Sequence, residues 1–342
     1  MIKMSSMGDV IHALPAVVDA KRAIPDIQFD WVVEEGFQEI PQMHPAVNEV
    51  IPVAIRRWRR NWITSLRSGE VGDFVRRLRH QRYDLIVDAQ GLIKSAIVGM
   101  LSTGPVSGFS WRSARESLAS LTYSKSMEVG NDVHAVERQR RLFAGLLGYE
   151  VSGAADYGLD LPGKREKDNR NIMLLHGTTW ESKLWPVESW RLLCSQILDS
   201  GYEVTIPSGN QEEARRAELI ADNTHATVLP MMGLKDLALI MAGCSGVVSG
   251  DTGPGHMAAA LNLPLIALYG ATSPQLTGIY GTYQNVIVSD HLPCIPCKKR
   301  FCRYPAEDYS SKIYPPCFER TTPGSVWQAL QSQIRKANPQ SS

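Results

Sequence analysis

No stretch of this chain approaches the roughly 18 to 20 consecutive apolar residues that a membrane-spanning helix requires, even though 44% of its residues are hydrophobic. The N-terminus also lacks the uninterrupted apolar core of a secretory signal, because Gly8, Asp9 and His12 break it early. Both absences lead to the expectation of a soluble, cytoplasmic protein. Net charge is nearly absent, +1 over 342 residues, so any affinity for anions must reside in a local patch. Nucleic-acid binding is not expected, because no recognition motif accompanies the basic residues. Short-period repeats and low-complexity runs are missing, and charged residues at 21% fall in the ordinary globular range. Cysteine is sparse. Of six, Cys194 and Cys244 stand alone in apolar segments and read as small core residues, while the other four cluster late in the chain.

What is present is an alternation of short apolar runs with helical patterns, the signature of parallel sheets covered by helices. In the first half the expected strands are Ile2–Met4, Phe29–Val33, Val50–Val53, Leu85–Val87 and Val106–Gly108. Val10, Ile11, Leu14, Val17 and Val18 share one helical face. The polar stretch Leu161–Asn169 reads as a linker. Beyond it the expected strands are Ile172–Leu175, Val204–Ile206, Gly246–Ser249 and Leu265–Leu268, and the expected helices are Val187–Leu198, Glu212–Ala221, Leu234–Met241 and His256–Leu261. The length suits two domains. The expected organisation is α/β: residues 1–160 and 171–342 as two Rossmann-like domains, joined by a linker at 161–170 and facing a central cleft. The opening strand has only about four residues, short of the usual 5–6, so a native start a few residues upstream is expected.

Three loops carry the chemistry. Ser249-Gly250-Asp251-Thr252-Gly253-Pro254-Gly255-His256 follows an apolar strand and leads into a helix. Such a unit aims unpaired backbone N–H groups at whatever sits on the helix N-terminus, most often phosphate. A capped helix without a ligand is the alternative. His176-Gly177-Thr178-Thr179 with Lys183 follows another strand, where a lysine can neutralise a leaving pyrophosphate; an ordinary surface loop is the alternative. In the first half, Ser5-Ser6-Met7-Gly8-Asp9 places a carboxylate in the first turn of a helix. The helix dipole alone accounts for an aspartate there. Kept ionised, it can also act as a general base.

Two clusters remain. From Arg56 to Arg82 there are nine arginines against Glu70 and Asp73, a local excess of +7. Arginine suits bidentate recognition of carboxylate or phosphate, and Trp58 and Trp62, four apart, form an expected apolar ridge. A solvated helix face competes with an acidic amphiphilic acceptor at a membrane surface. The second cluster, Cys294, Cys297, Cys302 and Cys317 in the segment 291–317, opens with Cys-x2-Cys, a metal knuckle. Four thiolates suit tetrahedral zinc or iron with a structural role; free thiols or a redox pair are the alternatives.

Taken together, Lys3–His12, Phe29–Phe37, Ile51–Trp58, Asp88-Ala89-Gln90-Gly91-Leu92 and Asp251-Thr252-Gly253 with His256 resemble the heptosyltransferase I group of the bacterial heptosyltransferase family (glycosyltransferase family nine). The likeness runs from about Lys3 to Ile287. It implies a GT-B fold and an inverting transferase with ADP-heptose as donor. The acceptor it implies is the first Kdo sugar on lipid A, at the inner face of the cytoplasmic membrane. By the same likeness Asp9 matches the general base, Lys183 a catalytic and donor-phosphate group, and Thr178 and Thr179 donor-phosphate contacts. Thr252, Gly253 and His256 match the pyrophosphate loop, Asp251 a donor-site carboxylate, Glu212 the ribose carboxylate and Met232 the adenine pocket. Arg56, Arg57, Arg59, Arg60 and Arg115 match the basic acceptor side. No cofactor is required for catalysis on this reading. The cysteine segment has no counterpart in the simplest pattern of the group, though similar knuckles occur in protein-modifying relatives that resemble iron-binding enzymes. A protein or other glycan acceptor is therefore the runner-up. A nucleotide-sugar epimerase and a non-catalytic ADP-sugar-binding protein are the alternatives of another class.

Overall fold

The computed structural model describes residues 1–161, 168–305 and 313–339. The chain divides into two compact units, Met1–Asp160 and Leu161–Ser342. Each is an α/β layer structure built on parallel strands.

In the first unit, β1 (Phe29–Glu34) pairs with β2 (Val47–Val53), and β3 (Ile86–Asp88), β4 (Val106–Phe109) and β5 (Lys125–Met127) form a second parallel set. The two sets meet at Ile2, which bridges Val32 on one side and Asp88 on the other, both in parallel sense. Ile2–Met4 is thus a single bridged residue with flanking ladder bonds, Lys3 N–H to Val32 O and Ala89 N–H to Ile2 O, rather than the expected strand. Parallel strands buried on both faces read as unbroken apolar runs, and all six residues of β1 are buried. The face shared by Val10 to Val18 is not one helix. It breaks at His12–Ala13 into α1 (Met7–Ile11) and α2 (Leu14–Ala23), with Pro15 in the first turn of α2, where its missing N–H is harmless. The unit continues with α3 (Glu39–Gln42), α4 (Ile55–Arg60), α5 (Trp62–Arg67), α6 (Glu70–Leu78), α7 (Ile93–Leu101) and α8 (Ala135–Leu147). The Trp62 half of the expected tryptophan ridge lies outside the described side chains. Trp58 packs edge-on against Phe74 with ring centroids 5.6 Å apart.

Inside this unit, Arg140 on α8 is 3% exposed and grips Asp19 on α2 through Nε–Oδ2 at 2.7 Å and Nη2–Oδ1 at 3.3 Å. Its Nη1 donates to Glu137 Oε1 at 3.0 Å, and Nη2 also meets Ser152 O and Gly153 O. The pair ties α2, α8 and the segment leading out of the unit.

The second unit orders its strands β11-β10-β9-β6-β7-β8. These are β6 (Asp168–Leu175), β7 (Glu203–Ile206), β8 (Thr227–Val228), β9 (Cys244–Gly250), β10 (Leu265–Tyr269) and β11 (Gln284–Val288). Residues 162–167 of the expected linker lie outside the described residues, and its end, Asp168–Arg170, is already strand β6. The helices are α9 (Val187–Asp199), α10 (Gln211–Ala221), α11 (Leu234–Ala242), α12 (Gly253–Ala260), α13 (Pro274–Thr277) and α14 (Pro323–Ala337). Helix α12 begins three residues before the expected His256, because Pro254 favours a first turn. The core joins Trp185, Trp190, Val248 and Ile266 to Trp327 and Leu330 of α14. Cys194 and Cys244 are both fully buried. Among the described residues, no helix is long and apolar enough to cross a membrane.

Candidate functional site

In the first unit the expected base is bound from three sides. Asp9 closes the first turn of α1: Ser6 donates its backbone N–H and its hydroxyl to Asp9 Oδ2, each at 3.0 Å. Arg115, from the loop after β4, donates Nη2 to Oδ1 at 2.9 Å. Lys3 Nζ lies 4.0 Å from the same oxygen. Burial opposes the carboxylate's charge, but Lys3, Arg115 and His12 outweigh it and hold the Asp9 carboxyl far below the ordinary range. Asp9 is therefore ionised at every physiological pH.

Lys3 was not singled out in the sequence as a site residue, and only its place ahead of Ser5–Asp9 hinted at it. Its side chain is almost wholly buried and donates to Ala89 O at 2.9 Å, beside Gln139, which donates to the same carbonyl at 3.0 Å. Burial pushes the Lys3 ammonium down to about 8, against the pull of Asp9. Asp88 is also a positioning group. Its carboxylate accepts from Gln90 N, Gly91 N, Ser95 Oγ and Tyr123 OH at 2.7–3.1 Å. That network folds the turn whose Gly91 sits at φ +67°, a left-handed conformation that favours glycine. A small cavity of about 20 Å³ opens at this cluster, lined in part by Lys3, Asp9, Gln90, Arg115 and Arg138. A larger cavity, about 380 Å³, is lined in part by Phe29, Asp30 and Tyr83 and does not include Asp9.

The expected acceptor arginines are not equivalent. Arg115 sits at Asp9. Arg57 is engaged by two carboxylates, Glu35 through Nε and Nη2 and Glu70 through Nη1 at 2.7 Å. Arg56 lies over the Phe37 ring at 5.5 Å. Arg59 and Arg60 are exposed at the end of α4. Among the described residues, three of the nine arginines sit in ion pairs: Arg57 as above, Arg76 with Asp73 and Arg77 with Glu49. Of their partners only Glu35 and Glu49 reduce the local +7 excess further.

In the second unit three loops converge. Lys183 Nζ meets Asp251 Oδ2 at 2.6 Å and lies 4.5 Å from the centre of the Trp180 ring. Thr178 donates its hydroxyl to Asp251 O at 3.2 Å, and Thr272, which the sequence reading missed, donates to Asp251 Oδ2. Thr252 stands at the N-cap position of α12 without a side-chain capping bond, and the first turn contains Gly253 and leads to buried His256. A Cβ on Gly255 would stand 2.4 Å from Ser249 Oγ, so a larger residue there would have to displace the Ser249 side chain on β9. The result is a helix N-terminus with a lysine at its edge, a place that favours negative charge. In this state Asp251 occupies the lysine. Burial holds His176, at the end of β6, down to about 4 and so neutral.

Thr179 is exposed, and Met232 is half-buried in the loop before α11. Glu212 is exposed on the first turn of α10, whereas Glu213 beside it folds inward. Glu213 accepts from Gly209 N–H at 2.8 Å and packs where a Gly177 side chain would stand. Cys294, Cys297, Cys302 and Cys317 line one cavity of about 20 Å³. Burial, then the neighbouring thiols, push the Cys317 thiol up to about 12. As placed, however, no three His, Cys, Asp or Glu side chains among the described residues are set to hold a metal ion.

Residues 71–307, more than half the chain, match the model of glycosyltransferase family 9 (heptosyltransferase). The chain belongs to this family. It is a glycosyltransferase with the GT-B type of fold. It is 46% identical over 345 residues to lipopolysaccharide heptosyltransferase 1 of Pseudomonas aeruginosa, covering 98% of this chain and 97% of that one. The Escherichia coli enzyme of the same name is 46% identical over 84% of this chain and 92% of its own length. Among solved structures, Escherichia coli heptosyltransferase WaaC with ADP superposes with a TM-score of 0.83 at 41% identity, covering 97% of this chain and 98% of that one. The same enzyme with ADP-2-deoxy-2-fluoro heptose gives 0.78 at 44% identity, covering 84% of this chain and 92% of that one.

Proposed function

We propose that this heptosyltransferase moves heptose from ADP-L-glycero-β-D-manno-heptose to Kdo of a lipid A–Kdo acceptor, with inversion, at the inner face of the cytoplasmic membrane. The observation that carries the reading is the end-to-end likeness to lipopolysaccharide heptosyltransferase 1. The geometry supports a division of labour. The first unit holds the acceptor's hydroxyl at Asp9, with Arg115 for its carboxylate. The second unit holds the ADP group at Lys183, Thr178, Thr179 and the N-terminus of α12, with Glu212 and Met232 toward the nucleoside.

The acceptor oxygen forms its bond to the anomeric carbon from the face opposite ADP. The bond from that carbon to the phosphate oxygen breaks, and ADP leaves with the electron pair. The hydroxyl proton passes to Asp9. A carboxylate held this low is a weak base before attack, but the hydroxyl turns acidic as its oxygen bonds to carbon, so late transfer suffices. Lys183 and the backbone N–H groups of α12 meet the charge developing on ADP, a role otherwise filled by a divalent cation. A single structural zinc or iron at the four thiols also stays a proposal. The shared cavity and the donor set support it, the thiol spacing as placed does not, and no catalytic step runs through it. One metal equivalent per purified chain, lost with Cys297→Ser, is the expected result.

The test of function is ADP release from ADP-heptose with and without a Kdo-lipid A acceptor. Acceptor-dependent release that Asp9→Asn lowers by about 10³-fold or more, with thermal unfolding still cooperative, is expected. Release without acceptor, or normal turnover by Asp9→Asn, would overturn the assignment. A protein or neutral glycan acceptor that outperforms Kdo-lipid A would move the reading to the runner-up.

A further inference from the structure

Among the described residues, six of the thirteen large exposed hydrophobic side chains fall between residues 93 and 121. Ile93, Ile97 and Met100 are 42, 47 and 54% exposed and recur at helical spacing along the outer face of α7. Leu118 and Leu121, 56 and 72% exposed, sit three apart on the short 3-10 helix Ser117–Thr122 that packs against α7. Trp111, 52% exposed, stands in the loop leading to that helix. Scattered exposed apolar residues are normal, but three along one helix face beside two more on an element packed against that helix are not.

The two ends of the ridge are basic. At the C-terminal end of α7, exposed Arg79 donates Nε to Leu101 O at 2.7 Å. At its N-terminal end stand exposed Lys94 and Arg112, with Arg115 turned to Asp9 and Glu116 bound to Ile93 N–H. The same loop leads to the candidate base: Glu116 N–H bonds Gly91 O, and the adjoining Arg115 reaches Asp9. The apolar ridge therefore borders the site in the first unit where the acceptor hydroxyl is read to bind.

We propose that the α7 face and the Ser117–Thr122 helix form the surface by which this enzyme seats on an anionic lipid bilayer. Apolar side chains enter the acyl–headgroup boundary while Arg79, Arg112 and Lys94 meet acidic headgroups. A second copy of the chain fits the surface poorly, because both ends of the ridge are basic and either pairing direction sets like charges together. The choice of partner rests on the lipid-linked acceptor proposed above; the surface itself does not.

The test is cosedimentation with vesicles of phosphatidylcholine alone and with about one-third phosphatidylglycerol, beside sedimentation velocity without lipid. The full chain is expected to bind the anionic vesicles, and to bind them more weakly in high salt or on phosphatidylcholine alone. Ile97→Glu/Leu121→Glu is expected to weaken that binding by about tenfold or more while its thermal unfolding and its ADP release with a deacylated Kdo acceptor stay unchanged. Arg79→Ala/Arg112→Ala should weaken anionic binding and flatten its salt dependence. No vesicle binding by the parent, equal binding by the double glutamate variant, or a dimer that this variant dissociates would each overturn the proposal. If neither the deacylated acceptor nor Kdo-lipid A is turned over, the functional reading fails, while the vesicle result still decides the surface.

Discussion

The buried lysine beside the candidate base should make the protein less stable than it needs to be. Lys3 is held in place by the Ala89 carbonyl and by Asp9, yet burial brings its ammonium from 10.5 down to about 8. That fall corresponds to about 3 kcal/mol against the charged form at neutral pH. Lys3→Met removes the charge and keeps the volume. The Ala89 carbonyl retains its bond from Gln139, so no acceptor is orphaned. Asp9 retains Arg115 and the two donors of Ser6. The variant is therefore expected to be more stable than the parent at pH 7, by about 2 to 3 kcal/mol in the first unit's transition. The sign fixes the pH dependence. Between pH 8 and 10.5 the unfolded parent binds more protons at Lys3 than the folded one, so the parent gains stability as pH rises through that window. The advantage of Lys3→Met should shrink there and vanish near pH 10.5. Urea unfolding of parent and variant at pH 7 and pH 10, read as a difference so that other groups cancel, measures it. A variant less stable at pH 7, or a gain that does not change with pH, would refute the reasoning. Turnover should move the other way, because Asp9 loses a cation that orients and ionises it.

Other outcomes follow from the same contacts. Lys183→Met should lower kcat/KM for the donor by about 10- to 100-fold, because the unpaired Asp251 then faces the incoming diphosphate. Adding Asp251→Asn should restore part of that loss in the same ADP-release assay. Arg140→Leu leaves Asp19 buried without its countercharge and should destabilise the first unit by about 3 to 5 kcal/mol. Asp19→Leu combined with Arg140→Leu should recover most of it, measured by urea midpoint.

Local sequence determined a good deal of this. The strands of the second unit were legible because strands covered on both faces need unbroken apolar runs, and Val247-Val248 ahead of Gly250–Gly255 marks a strand, a tight turn and a helix start without any long-range information. The likeness carried jointly by Lys3–His12, Phe29–Phe37, Ile51–Trp58, Asp88–Leu92 and Asp251–Gly253 with His256 likewise reached the family. Tertiary structure decided the rest. Nothing local reveals that Lys3, Asp9 and Arg115, up to 112 positions apart, share one charged cluster, nor that Arg57 is engaged by Glu35 and Glu70 and so differs from Arg59. The inward turn of Glu213 fills the space left by Gly177, on a strand loop far away in sequence. Periodicity records which faces are apolar. It does not record which charges meet, because ion pairs form through space between side chains whose positions are set by the packed backbone.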